Sequence, residues 1–122
     1  MLNRDYGWLE DILNAARKLQ RAAAGLAREE FEADEFRGLA VERLLSIIGE
    51  ATKNVSEAFR TAHPEIPWRA MAGMREILVH NYRGTSLENV WYAVAESVPA
   101  LIAALEPLIP QNPDEESSSD DT

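Results

Sequence analysis

Cysteine is absent from this 122-residue chain. Its absence excludes a disulfide framework and any thiolate metal site. Histidine is scarce, with only two residues, and no His-Glu-X-X-His is present. There is no Gly-rich phosphate loop and no aspartate cluster that would hold two metals. No motif therefore calls for a bound metal or cofactor. No apolar run approaches the roughly 20 residues of a membrane span. The opening Met1-Leu2-Asn3-Arg4-Asp5 lacks the apolar stretch of a signal peptide. A cytoplasmic protein is the expectation. Strand-like alternation and internal repeats are missing as well.

Positive charge is also in short supply. Twelve Lys and Arg face 21 Asp and Glu, for a net charge of −9. That balance argues against a generic nucleic-acid binder. The charge is uneven, however. Asp114, Glu115, Glu116, Asp120 and Asp121 put five of the negative charges in the last nine residues, leaving −4 for the rest. Between Arg60 and Arg83 the sign reverses: Arg60, Arg69, Arg75 and Arg83 outnumber Glu65 and Glu76, giving +2 with His neutral. A local phosphate site is compatible with this window.

What is present is helical periodicity. Apolar residues make up 46% of the chain, enough for one globular domain and one core. Tyr6, Leu9, Ile12, Leu13, Ala16, Leu19 and Ala23 recur at three- and four-residue steps, predicting a helix from about Asn3 to Ala24. Asn3 or Asp5 suits its start, and Gly25 its end. Residues 26–33 read as a short helical connector. A long helix is predicted from Asp34 to Ala62, with an apolar stripe from Leu39 through Val41, Leu45 and Ile48 to Val55 and Phe59. Gly49 in its middle costs about 1 kcal/mol relative to Ala, which a close approach by a neighbouring backbone would justify. Glu50 follows at the edge of the stripe, where a solvated or salt-bridged role would also serve.

His63-Pro64-Glu65-Ile66-Pro67 reads as a loop, with His63 a loop or C-cap residue. A third helix is predicted from Pro67 to Val79, with Trp68, Met71 and Met74 in the core. A last helix follows from Leu87 to Ile109, capped by Ser86 and kinked at Pro99. Residues 1–110 thus form one all-α bundle of four main helices, with room for a short fifth. Residues 111–122 form an acidic tail with nothing to bury, and disorder is expected there.

The stretch Arg75-Glu76-Ile77-Leu78-Val79-His80-Asn81-Tyr82 gathers the reactive groups. Arg binds phosphate in a fork, His exchanges protons near neutral pH, and Tyr donates a hydrogen bond. Together they suit phosphodiester chemistry without a metal, with His80 as general base or acid and Arg75 stabilising phosphate charge. Five residues of helix turn about 500°, leaving Arg75 and His80 about 140° apart. Either the helix loosens near His80 or a second copy of the chain completes the site. A structural reading stands beside this one: His near a helix C-terminus complements the dipole, and Tyr packs its ring while wetting its hydroxyl.

Arg75-X4-His80-X-Tyr82 resembles the motif of HepT toxins, a branch of the HEPN superfamily. Ile48-Gly49-Glu50-Ala51, Ile66-Pro67-Trp68, Gly73-Met74-Arg75, Val90-Trp91 and Val98-Pro99-Ala100-Leu101 resemble further segments of that family in the same order. The resemblance covers about Tyr6 to Leu108. It implies a HEPN-like homodimer whose two motifs face each other, acting as a metal-independent endoribonuclease. It implies Arg75 and His80 as catalytic residues, and Tyr82, Glu76, Arg83 and Glu50 as RNA-binding or site-lining residues. It further implies a partner, the minimal nucleotidyltransferase antitoxin MntA, which would adenylylate Tyr82. Glu76 departs from the pattern, since the residue after the motif Arg is most often Asn. A carboxylate there could pair with Arg75 and compete with phosphate. The alternative reading is thus a weakly cleaving helical partner that binds a nucleotidyltransferase or nucleotide.

Overall fold

A computed structural model of the chain describes residues 2–74 and 87–109. The described residues are built from helices and contain no strand, as an all-α bundle requires. Helix α1 spans Leu2–Ala23, α2 Arg28–Ala33, α3 Glu35–Asn54, α4 Glu57–Ala62 and α5 Trp68–Ala72. After the undescribed stretch come α6, Leu87–Tyr92, a π-helical turn, Ala93–Ser97, α7, Val98–Leu105, and a 3-10 turn, Glu106–Leu108. Ser86 and the acidic residues 111–122 lie outside the described residues.

The centre of the bundle is α1 laid along α3 and α7. Leu9, Ile12, Ala16 and Leu19 present one face of α1, all fully buried. Val41, Leu45 and Ile48 answer from α3, Val55 from its C-cap, and Val98, Leu101 and Leu105 from α7. Each fully buried Leu or Ile contributes about 1.5–3 kcal/mol over its exposed state. Gly25 ends α1 as predicted, at a φ of +75° where an L side chain would be strained. Asp34 caps α3 by accepting from the Arg37 N–H at 3.0 Å. Phe31 of α2 is buried against Trp91 of α6, with ring centroids 5.2 Å apart.

The predicted stripe of the long helix needs one correction at its start. Leu39 is 58% exposed and does not belong to the core. Arg37 reaches back to the Ala22 carbonyl at the end of α1, at 2.7 Å. That contact turns the Arg37 face toward α1, and Val41 follows one turn later on the same face. Leu39, two residues on, lies about 200° around the helix from Arg37.

A second correction concerns length. The helix predicted over 34–62 is two helices, broken at Val55 and Ser56, whose ψ angles of 135° and 149° are extended. Gly49 is not the break; it lies inside α3 and is buried. Ser56 caps α4 by accepting from the Phe59 N–H at 3.1 Å. Asp5 of α1 holds the corner: one carboxylate oxygen accepts from the Ser56 N–H and the other from its hydroxyl, both at 2.8 Å. Val55 at the break and Phe59 beyond it are both buried, so the four-residue spacing passes through unchanged.

The last predicted helix is likewise divided. Pro99 has no N–H to give a carbonyl four residues back. The chain widens into the π turn Ala93–Ser97 just before it, and α7 resumes with Pro99 in its first turn. This is the kink the sequence predicted, realised as a π bulge.

Candidate functional site

Arg75, Glu76, His80, Tyr82 and Arg83 lie outside the described residues. The structure does describe the α4–α5 corner, which precedes that stretch in the chain, and the C-terminal half of α3, which carries Glu50.

The corner is rigidly made. His63 closes α4, its N–H donating to the Phe59 and Arg60 carbonyls. Its ring stacks on Phe59 with centroids 4.5 Å apart, and its Nδ1 lies 3.3 Å from a Glu65 carboxylate oxygen. Its carbonyl accepts from the Trp68 indole N–H at 2.9 Å. These are the contacts of a capping residue, in line with the loop or C-cap role expected of His63. Pro67 is the N-cap of α5 and not its first helical residue, with φ −80° and ψ 68°. Those angles, with the Trp68 N–H donating to the Ile66 carbonyl at 2.8 Å, form an inverse γ-turn. Ile66 is buried below the turn, and Trp68 meets Phe59 edge to face at 6.1 Å. The segment Ile66-Pro67-Trp68 therefore fixes the direction in which α5 leaves the corner.

Helix α5 packs against α3 through Met71, which is fully buried. Met74 is buried too, while Trp68 is half-buried. The predicted third helix, 67–79, is interrupted within its described part: α5 ends at Ala72, and the Gly73 N–H donates to the Arg69 and Met71 carbonyls. Arg75 comes two residues after Gly73. On α3, Thr52 is buried and satisfies its hydroxyl on the Ile48 carbonyl at 2.7 Å. Gly49 faces inward. Glu50, the one proposed site residue that is described, is on the exposed side of α3, and its carbonyl accepts from the Asn54 side-chain amide at 2.9 Å. No three His, Asp or Glu side chains converge as a metal site among the described residues.

An open groove of about 490 Å³ lies beside this corner, lined by Glu57, Arg60, Thr61, Trp68, Arg69 and Ala72. Reading the sequence placed Arg60 and Arg69 only within a positive window. The two residues are nine apart across a loop with two prolines, and spacing alone could not show that they share a surface.

The family model for "Ribonuclease HepT-like" proteins matches residues 12–108, a span that contains the whole Arg75–Tyr82 stretch. A relative from Thermococcus cleftensis named "Probable ribonuclease HepT" is 42% identical over 106 residues, covering 87% of this chain and 94% of that protein. A protein of Caldanaerobacter subterraneus named as a candidate RNase is 37% identical over 94 residues, covering 77% and 84%. A third, from Methanocaldococcus jannaschii and also named as a candidate RNase, is 35% identical over 112 residues, covering 92% and 93%. No solved structure matches. The match runs from the third turn of α1 to the 3-10 turn after α7, and on that ground the chain belongs to the HepT-like ribonuclease family.

Proposed function

We propose that this chain is a metal-independent endoribonuclease acting as the toxin of a two-gene toxin–antitoxin pair in the cytoplasm. The observation that carries the reading is Arg75-X4-His80-X-Tyr82 inside the span matched by the ribonuclease family. Arg75 neutralises the scissile phosphate. His80 takes the proton of the ribose 2′-hydroxyl or returns one to the leaving oxygen. The 2′-oxygen then bonds to phosphorus as the bond to the 5′-oxygen breaks. Arg75 and His80 are five residues apart, a spacing that puts them on different sides of one helix. That spacing is met either by a helix that loosens near His80 or by a second copy of the chain, and the family resemblance favours the second, a homodimer with Tyr82, Glu76, Arg83 and Glu50 lining the cleft.

The antitoxin in this reading is an MntA-like nucleotidyltransferase that transfers AMP to the Tyr82 hydroxyl. Free Tyr is neutral at pH 7, titrating near about 10. Adenylylation adds bulk and phosphodiester charge beside Arg75, and the occupied Arg no longer receives RNA. Expression of the wild-type chain should slow bacterial growth, and Arg75→Ala should relieve it while the protein stays folded. Tyr82→Phe, which cannot accept AMP, should escape neutralisation by the co-expressed nucleotidyltransferase. Neutralisation of Tyr82→Phe with AMP on another residue would refute the switch. Glu76 beside Arg75 favours a second reading, a weakly cleaving subunit that binds the nucleotidyltransferase. Under that reading Arg75→Ala leaves growth unchanged.

A further inference from the structure

Arg60 is half-buried at the edge of the groove beside the α4–α5 corner. Its Nε is closed off from solvent, yet it has no hydrogen-bond partner among the described residues. A donor so placed favours a ligand that brings an acceptor. Arg69, on the same groove, is exposed. Among the described residues neither arginine forms an ion pair, although Glu57 also lines the groove. The lining carries two guanidiniums against one carboxylate on a chain of net charge −9. Trp68 lies between α4 and the rest of α5, its indole N–H fixed by the His63 carbonyl and its ring braced by Phe59. A ring so held loses little freedom when something stacks on it. The volume, about 490 Å³, falls within the roughly 300–1,000 Å³ of small-ligand sites, and the groove is open, as a polymer passing through requires.

We propose that this groove is a subsite for single-stranded RNA, with Arg60 and Arg69 holding backbone phosphates and Trp68 stacking a base. Guanidinium forks are suited to phosphate, and aromatic plates beside cations are how single strands are held without reading sequence. An acidic peptide would satisfy the arginines, but it offers a stacking ring only where it happens to carry an aromatic residue, whereas every nucleotide brings a base beside its phosphate. Arg69 precedes Arg75 by six residues in the sequence, at most about 20 Å of chain, so the subsite would hold nucleotides flanking the scissile one. In that last respect the inference rests on the ribonuclease reading. The binding itself does not.

The test uses the full wild-type chain and a fluorescent 2′-O-methyl RNA of twelve nucleotides, which cannot be cleaved through its 2′-oxygen. Anisotropy is recorded over a range of salt. Arg69→Gln should weaken binding at least fivefold and reduce the slope of log K against log salt by about 0.7, the value for one phosphate contact on a single strand. Arg60→Gln should do the same and Arg60→Lys less, each confirmed as folded by thermal melting. Trp68→Phe should weaken binding with the slope unchanged. On cleavable RNA, Arg69→Gln should raise KM and leave kcat in place. An unchanged affinity and slope in Arg69→Gln overturns the subsite, whether or not the wild type cleaves RNA. So does unchanged RNA binding alongside lost capture of the nucleotidyltransferase. Arginine-dependent binding by a chain that never cleaves RNA would keep the subsite and sink the ribonuclease reading instead.

Discussion

Asp5 ties the first turns of α1 to the corner between α3 and α4. It is 3% exposed, and both carboxylate oxygens are engaged by Ser56, 51 residues away. Asp5→Ala leaves the Ser56 N–H and hydroxyl without acceptors at the corner between α3 and α4. Hydrogen bonds to a charged group contribute about 1.5–3 kcal/mol each. Ser56 is only half-buried, so water recovers part of that loss, and the expected cost is about 3 kcal/mol. Asp5→Asn keeps an oxygen for the N–H and an amide that can donate to the hydroxyl, and should cost about half as much. Urea unfolding followed by circular dichroism reads both. With a slope between 1 and 3 kcal/mol/M, Asp5→Ala should lower the midpoint by about 2 M. Ser56→Ala removes the hydroxyl bond and the α4 cap together, so it should combine with Asp5→Ala less than additively, by about 1 kcal/mol or more. A loss under 1 kcal/mol for Asp5→Ala, or strict additivity with Ser56→Ala, would refute the corner's role.

Three further outcomes follow from the same structure. The Arg17–Glu106 contact is shorter, at 2.6 Å, but both side chains are more than 40% exposed, so Arg17→Ala should cost no more than about 0.5 kcal/mol in urea unfolding. Gly49 is buried inside α3, and Gly49→Leu should destabilise by about 1–3 kcal/mol through overpacking, seen as a lower thermal midpoint. Truncation after Pro110 should leave the thermal midpoint within about 1 °C, because residues 111–122 offer no apolar face to bury.

Much of the fold was legible because burial follows helical periodicity. The face of α1 from Leu9 to Leu19, the Gly25 stop and the start of the long helix at Asp34 are local signals, and the structure bears them out. The break at Ser56 was not legible, since Val55 and Phe59 keep the spacing of one continuous helix. The residue that fixes the break is Asp5, and nothing near Ser56 in the sequence points to it. Leu39 was misplaced for a similar reason: its facing depends on where Arg37 finds the end of α1. Pro99 announced a distortion, but not that it would take the form of a π turn over Ala93–Ser97. For the site, residue types alone singled out Arg75, His80 and Tyr82. The groove of Arg60 and Arg69 needed the turn at Pro67 to bring α4 and α5 together.

The most direct test of the ribonuclease account is cleavage of single-stranded RNA by the purified chain in EDTA, wild type against His80→Ala. The account predicts cleavage without added metal, ending in 2′,3′-cyclic phosphates. It also predicts a loss of at least about 100-fold in His80→Ala, the low end of what general acid–base catalysis supplies, with an unchanged melting curve. A folded His80→Ala variant that cleaves as fast as wild type, or a wild type inactive without metal, would contradict it.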